Sequence, residues 1–336
     1  MKLSVLDQSP VSAGSTPAEA LHNTIELARL ADRLGYERYW IAEHHAIVSL
    51  ASPAPEIMIA RVAAETSGIR VGSGAVLLPH YSALKVAETF RVLHALYPNR
   101  IDLGVGRAPG GTPLDAWALR RDRERQQPDD FGQQLVELIT WLEGEFPPDH
   151  PFSRIKISPA MPGAPEVWLL GSSLWSASAA AQLGLPYSFA HFIDPQPTRR
   201  AVEYYRSHFM PDEHGSKPRV MIGLGAICAE SDAEAARLLT SARLFRRRIR
   251  QGDIRPIPTP EEAIAELGPA PEPPPAAGDE WPRYFAGAPD TVRDRLIDMA
   301  SVLNADELMV VTIVHDHAAR MRSYELLAEA FGLTPR

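Results

Sequence analysis

Three short stretches of the chain concentrate side chains able to do chemistry. The first is Glu43–His44–His45, closing the run YWIAEHH. Histidine titrates nearest to neutral pH, so it suits general acid or base work. Adjacent histidines on extended backbone point to opposite sides, so these two do not jointly hold one metal ion. One faces a pocket while the other packs or bonds to backbone; two structural or surface histidines is the plainer alternative. The second stretch is LGVGRAPGG, with Arg107 among Gly104, Gly106, Gly110 and Gly111. A guanidinium there can grip a phosphate with a forked pair of hydrogen bonds, or be a surface arginine of a loose loop. The third is LLGSSLWSAS, where an apolar run opens directly into a helical pattern at Ser172, Ser173 and Ser176. Free N–H groups at a helix start, joined by serine hydroxyls, attract an anion. A single serine capping the helix is the simpler reading.

A fold is needed that brings these stretches to one place, and the chain's alternation supplies it. Short β-branched runs fall at Leu3–Leu6, Arg38–Ala42, Ile69–Leu77, Ile101–Val105, Val167–Leu170, Tyr187–Ala190, Val220–Ile227 and Glu307–Val314, with helical patterns between them. The first helix carries Thr16 as N-cap, Pro17 in its first turn, Glu19 closing a capping box and Gly35 as a natural stop. Further helices are expected over about Pro55–Thr66, Ser82–Leu96, Phe131–Leu142, Ser172–Leu183, Thr198–His208, from Ser231 toward Arg250, and Ala318–Phe331. Eight strand–helix units in one order predict an α/β protein, a (β/α)8 TIM barrel with insertions at its carboxyl-terminal rim. A doubly wound open sheet would need a G-x-G-x-x-G turn after an early strand, and the first strand is followed instead by DQSPVSAGST. Barrel enzymes keep their chemistry at the carboxyl ends of the strands. All three stretches lie there. Gly72 and Gly74, inside an otherwise strong strand, mark a close approach of ligand or backbone.

Composition narrows the function. The 336 residues form a single domain and carry 34 Lys+Arg against 42 Asp+Glu, a net charge of −8, which argues against a nucleic-acid partner. Only four basic residues are lysines (Lys2, Lys85, Lys156, Lys217), none at a strand's carboxyl end, so Schiff-base chemistry is disfavoured. The lone Cys228 excludes an internal disulfide and reads as a buried small hydrophobe. His315 and His317 lack the carboxylate array of a metal hydrolase, and no metal site is expected. Apolar runs are too short to cross a bilayer, and MKLSVLDQSP reads as a first strand, giving a soluble cytoplasmic chain. Two proline-rich segments, residues 143–165 and 253–289, are expected to be extended and solvated. The second carries ten prolines and is either a mobile lid over the barrel mouth or a disordered linker.

These residues together resemble the bacterial luciferase-like superfamily of flavin-dependent oxidoreductases, closest to its single-component luciferase-like monooxygenases. The likeness runs through YWIAEHH, GIRVGSGAVLLPHYSALKVAE, RIDLGVGRAPGG, APEVWLLGSS and APDTVRDRLIDMASVLNADELMVVT. It implies an FMN site at the carboxyl ends of the strands. His44, with Glu43 beside it, matches the base or flavin-stabilising histidine, and Arg107 the arginine gripping the FMN phosphate. Ser173 and Ser176 match phosphate-loop positions, and Gly74–Ala75 a non-prolyl cis peptide beside the flavin ring. The chain departs at Gly106, where luciferase has a reactive cysteine, and at Ser172, where luciferase has a phosphate-loop glutamate. Light emission is therefore not implied, and the Pro-rich segment occupies the place of the family's mobile loop.

The resemblance further implies a monooxygenase that takes reduced FMN (FMNH2) from a separate flavin reductase. Oxygen adds to the flavin as a C4a-hydroperoxide, which oxygenates a small apolar molecule such as an aldehyde. An F420-dependent hydride-transfer enzyme and a non-catalytic flavin-binding protein are the alternatives on the same barrel. A homodimer is expected. Trp40, Trp117, Trp168, Trp175 and Phe192 are read as an apolar rim, although some of them suit a core equally.

Overall fold

In a computed structural model that describes residues 1–119, 129–144, 146–211, 215–268 and 281–336, strands and helices alternate as the sequence predicts. The elements run β1 (Lys2–Asp7), α1 (Pro17–Leu34), β2 (Arg38–Ile41), α2 (Pro55–Glu65), β3 (Arg70–Ser73), β4 (Val76–Leu77), α3 (Ala83–Leu96), β5 (Ile101–Gly106), α4 (Pro113–Leu119) and α5 (Phe131–Glu143). They continue with β6 (Glu166–Gly171), α6 (Leu174–Gln182), β7 (Tyr187–Ala190), α7 (Thr198–Ser207), β8 (Val220–Cys228), α8 (Asp232–Arg250), α9 (Pro260–Leu267), β9 (Tyr284–Gly287), α10 (Pro289–Leu303), β10 (Glu307–Val311) and α11 (His317–Phe331). β1, β2, β3, β5, β6, β7, β8 and β10 pair in parallel in that order, and β10 closes on β1. This is a (β/α)8 barrel.

Local signals act as expected at α1. The Thr16 hydroxyl accepts the Glu19 N–H at 3.2 Å, the Glu19 carboxylate accepts the Thr16 N–H at 2.7 Å, and Gly35 ends the helix at φ 87°. Apolar faces of the helices bury against the outside of the barrel, as with Leu27, Ile59, Phe90, Leu135 and Leu296. A second apolar layer fills the barrel interior around Leu6, Trp40, Trp168, Met221 and Met309. Trp40 and Trp168 therefore belong to the core and not to the rim. They meet edge to face at 5.6 Å, and their indole N–H groups donate to Asp102 at 2.9 Å and Glu166 at 2.8 Å.

Those carboxylates belong to an ionic plug at the amino-terminal end of the barrel. Arg38 donates to Asp102 at 2.8 Å, to Glu166 at 2.9 Å and to Glu307 at 3.2 Å, and Arg70 pairs with Asp102 from the side. Removing one member of such a buried set leaves uncompensated charge. Charge thus closes one end of the barrel and leaves the other for the cavity.

Three expectations change. The strand foreseen over Ile69–Leu77 is broken: β3 stops at Ser73, the Gly74–Ala75 peptide is cis, and β4 resumes pairing with β5 at Val105 and Gly106. Residues 143–165 are not solvated throughout. Phe146 packs on Trp141 at 4.5 Å, and the Arg91 guanidinium donates to the carbonyls of Pro159, Met161 and Leu142. The 253–289 segment holds α9 and β9, the helix capped by Thr259 accepting the Glu262 N–H at 3.1 Å. Its proline-richest part, residues 269–280, lies outside the described residues.

Candidate functional site

A cavity of about 550 Å³ opens at the carboxyl ends of the barrel strands. Glu43, His44, Gly74, Ala75, Arg107, Ser172, Ser173 and Ser176 all border it, because the barrel gathers every strand end at one mouth.

After β2 the chain sets two histidines in opposite directions. His45 bonds to Glu43 at 2.7 Å through Nε2, and its ring meets that of His80 edge to face. His44 borders the cavity, while its Nδ1 atom is buried and makes no hydrogen bond. Burial, with His45 as a lesser cause, pushes the His44 imidazole down to about 4. His44 is thus a neutral imidazole at pH 7, not a group balanced near its ordinary value as its residue type alone would suggest. Its buried Nδ1 is a polar atom without a protein partner, a feature that calls for an explanation.

Glu43 is spent on the protein. Its carboxylate accepts the Tyr81 hydroxyl at 2.7 Å, the Leu77 backbone N–H at 3.0 Å and His45. The role it performs is therefore positional: it ties the loop after β2 to β4, beyond the cis peptide.

The ends of β5 and β6, further along the same run of neighbouring strands, carry an arrangement suited to an anion. Arg107 is exposed, stands 4.7 Å over the ring of Trp175 and lies 3.3 Å from Asp129. Trp175 is the second residue of α6, so the guanidinium sits beside that helix's N-terminus. Ser173 caps α6, its hydroxyl accepting the Ser176 N–H at 3.5 Å. The first N–H groups of a helix have no partner within it, and those of Leu174 and Trp175 make no hydrogen bond among the described residues. Ser172 borders the cavity, with no protein hydrogen bond to its hydroxyl among the described residues. Ser176 differs from the other two serines. It is buried, donates to the Ser173 carbonyl at 2.7 Å and lies 3.0 Å from the Tyr187 hydroxyl. It shapes the turn, and its hydroxyl is not free for an anion.

The remaining walls are largely apolar: Leu6, Leu77, Leu170, Phe192, Ile193 and Met309. Sequence reading singled out only Phe192 of these. The strand-end rule applied to β1 and β10 would have found Gln8 and pointed near Met309. Gly72 makes its close approach to the protein itself, since a methyl group there would lie 2.6 Å from the Asp102 carbonyl oxygen. Cys228 is buried and its thiol is pushed up to about 12 by that burial, so it is inert. No helix among the described residues is long and apolar enough to cross a membrane.

The chain is similar to known proteins over nearly its whole length. The family described as luciferase-like monooxygenase matches residues 1–304. The chain is 46% identical to uncharacterised protein YceB of Bacillus subtilis, covering 98% of this chain and 99% of that protein. It is 33% identical to the N-acetyl-S-alkylcysteine monooxygenase of the same organism, covering 98% of both. Among solved structures, apo-MsnO8 is 55% identical with a TM-score of 0.91, covering 100% of this chain and 99% of that one. The oxygenating constituent of a 3,6-diketocamphane monooxygenase of Pseudomonas putida, a type II Baeyer–Villiger monooxygenase solved with FMN, shares the fold at TM-score 0.70 and 21% identity. That match covers 98% of this chain and 97% of the other.

Proposed function

The chain belongs to the luciferase-like monooxygenase family, and from that premise we propose that it is an FMN-dependent oxygenase of a small, largely apolar molecule. The observation that carries this reading is what one cavity brings together: Arg107, Ser172 and the start of α6 border it along with a neutral His44 and the Gly74–Ala75 peptide.

The donor set fits the phosphate end of FMN. Arg107 offers a fork of N–H donors, and the α6 terminus adds oriented backbone dipoles. Ser172 and Ser173 complete the cradle, while Ser176 holds its first turn in place through Ser173 and Tyr187. When bound and reduced, FMN supplies the electrons that activate O2 for transfer of one oxygen atom. The protein's own contribution is to bind, orient and exclude water, and Leu6, Leu170, Phe192 and Met309 provide a dry wall for it. His44, held neutral by burial, can accept a hydrogen bond at a ring nitrogen without bringing charge into the pocket. Reduced FMN comes from a separate flavin reductase.

The name of the N-acetyl-S-alkylcysteine monooxygenase adds a thioether as a candidate group to the aldehyde that the family resemblance implies. The test combines the purified protein, FMN, NADH and a flavin reductase under 18O2, with N-acetyl-S-benzylcysteine and decanal as probes. Transfer of one labelled oxygen atom to either probe is the expected result. Absence of label from both, with reduction of decanal by reduced F420, would overturn the reading.

A further inference from the structure

The closed ring of strands sets one polar side chain of the cavity as far from β6 and its serines as eight strands allow. Gln8 follows β1, and β1 lies four strands from β6 whichever way the ring is followed. Gln8 is half-buried and borders the cavity, and its carboxamide makes no hydrogen bond among the described residues. A carboxamide offers two N–H donors and a carbonyl acceptor, and here all of them are unspent.

The chain on either side of Gln8 is firmly anchored. Asp7 is buried and accepts from Arg320 at 2.8 Å and from the Ser9 N–H at 2.7 Å. Ser9 lies in the left-handed region at φ 49°, which is uncommon for a residue other than glycine. Its hydroxyl lies 2.9 Å from that of Thr24, and its carbonyl accepts the Ala51 N–H at 2.9 Å. Backbone of this kind persists only where its surroundings enforce it, and it gathers at ligand sites.

The surroundings also decide what charge a partner of Gln8 can carry. Glu43 and Arg107 are the ionised side chains that border the cavity among the described residues. Glu43 is engaged by its own three donors, and Arg107 follows β5. From β7, β8, β10 and β1 the cavity receives Ala190, Gly223, Met309 and Leu6, with Ser188 as the other polar side chain of those strands. A carboxylate brought against this arc would lose hydration with no cation to replace it. An amide costs less to bury and can return hydrogen bonds to the carboxamide.

We propose that Gln8 is a specificity-determining residue that holds an uncharged carbonyl group of the substrate, an amide above all, with the apolar body along Leu6 and Met309. This deepens the oxygenase reading and rests on it: α6 and Arg107 serve the cofactor phosphate, and Gln8 serves the substrate.

The test uses the full chain and two probes of one chain length, octanamide and octanoate. Their binding is measured calorimetrically at neutral pH with and without FMN, and FMN and riboflavin are titrated in parallel. Wild type is expected to bind octanamide about tenfold more tightly than octanoate. Gln8→Leu, of similar volume, should lower octanamide affinity about tenfold and leave octanoate within about twofold. Gln8→Lys brings a cation to the same place and should turn the preference toward octanoate, a reversal that a purely structural residue would not produce. No measurable binding of octanamide, equal affinity for the two probes in wild type, or an unchanged preference in both variants would overturn the proposal. So would an equal loss of FMN and riboflavin affinity in Gln8→Leu with the octanamide preference intact, which would assign Gln8 to the flavin ring. If wild type fails to bind FMN yet shows the octanamide preference, the oxygenase reading fails and the Gln8 subsite stands.

Discussion

The Glu43 carboxylate accepts the Leu77 N–H at 3.0 Å and so fastens the end of β2 to the strand beyond the Gly74–Ala75 peptide. The same carboxylate takes the Tyr81 hydroxyl and His45, so three donors depend on one buried acceptor. Glu43→Ala is expected to cost about 3 kcal/mol, since stranded buried donors each forfeit about 1–3 kcal/mol. Tyr81→Phe, which removes one donor and strands none, should cost about 1 kcal/mol. Urea midpoints at constant slope check both values. Equal costs for the two would show that Glu43 is not the hub.

His44 and His191 set a pH dependence whose sign is fixed. Burial holds both near 4, whereas an unfolded histidine titrates near 6.5. As pH falls through about 6.5, the unfolded chain takes up protons that the folded chain refuses. Stability is therefore lost between about pH 6.5 and pH 4 and is fully present above that window. His191→Asn and His44→Gln should each flatten this part of the stability curve relative to wild type. Curves parallel to wild type would contradict the burial of these rings as neutral groups. His44 should also leave no inflection in kcat between about pH 6 and pH 8.

Much of this site was legible because a barrel turns a one-dimensional pattern into a ring. Once eight strand–helix units are recognised, Glu43, His44, Arg107 and Ser172 must face one mouth whatever their separation along the chain. What the pattern lacks is direction within each element. Trp40 and Trp168 read as rim, yet they point inward along β2 and β6, because strands buried on both faces carry no polar alternation to tell inside from outside. Ser176 reads as a ligand, yet its hydroxyl turns back on Ser173 and Tyr187, a contact with β7 that no local spacing reveals. The proline count of residues 253–289 masked a helix start that was present in Thr259, Pro260 and Glu262.

Gly171 offers a probe of the α6 cradle. A methyl group at that position would overlap the Ser176 hydroxyl, and displacing Ser176 disturbs the cap on which the first turn of α6 depends. Gly171→Ala is expected to weaken FMN binding at least fivefold while shifting stability by no more than about 1–3 kcal/mol, the usual range for overpacking. Unchanged FMN affinity would remove α6 from the phosphate site.

At the other end of the barrel, Asp102 serves stability alone. Asp102→Ala strands the Trp40 N–H and takes one carboxylate partner from each of Arg38 and Arg70, and is expected to cost about 3–5 kcal/mol. The fraction that folds should bind FMN with wild-type affinity. A variant that is stable but no longer binds FMN would contradict this separation of the two ends.

The central claim is that Arg107 and the α6 terminus hold the FMN phosphate. It is tested most directly by anaerobic titration of wild type and Arg107→Ala with reduced FMN and with reduced riboflavin. Arg107→Ala should weaken FMN about tenfold, the equivalent of one charge-assisted contact, and leave riboflavin within about twofold. Equal losses for both flavins, or binding of reduced F420 in place of reduced FMN, would contradict it.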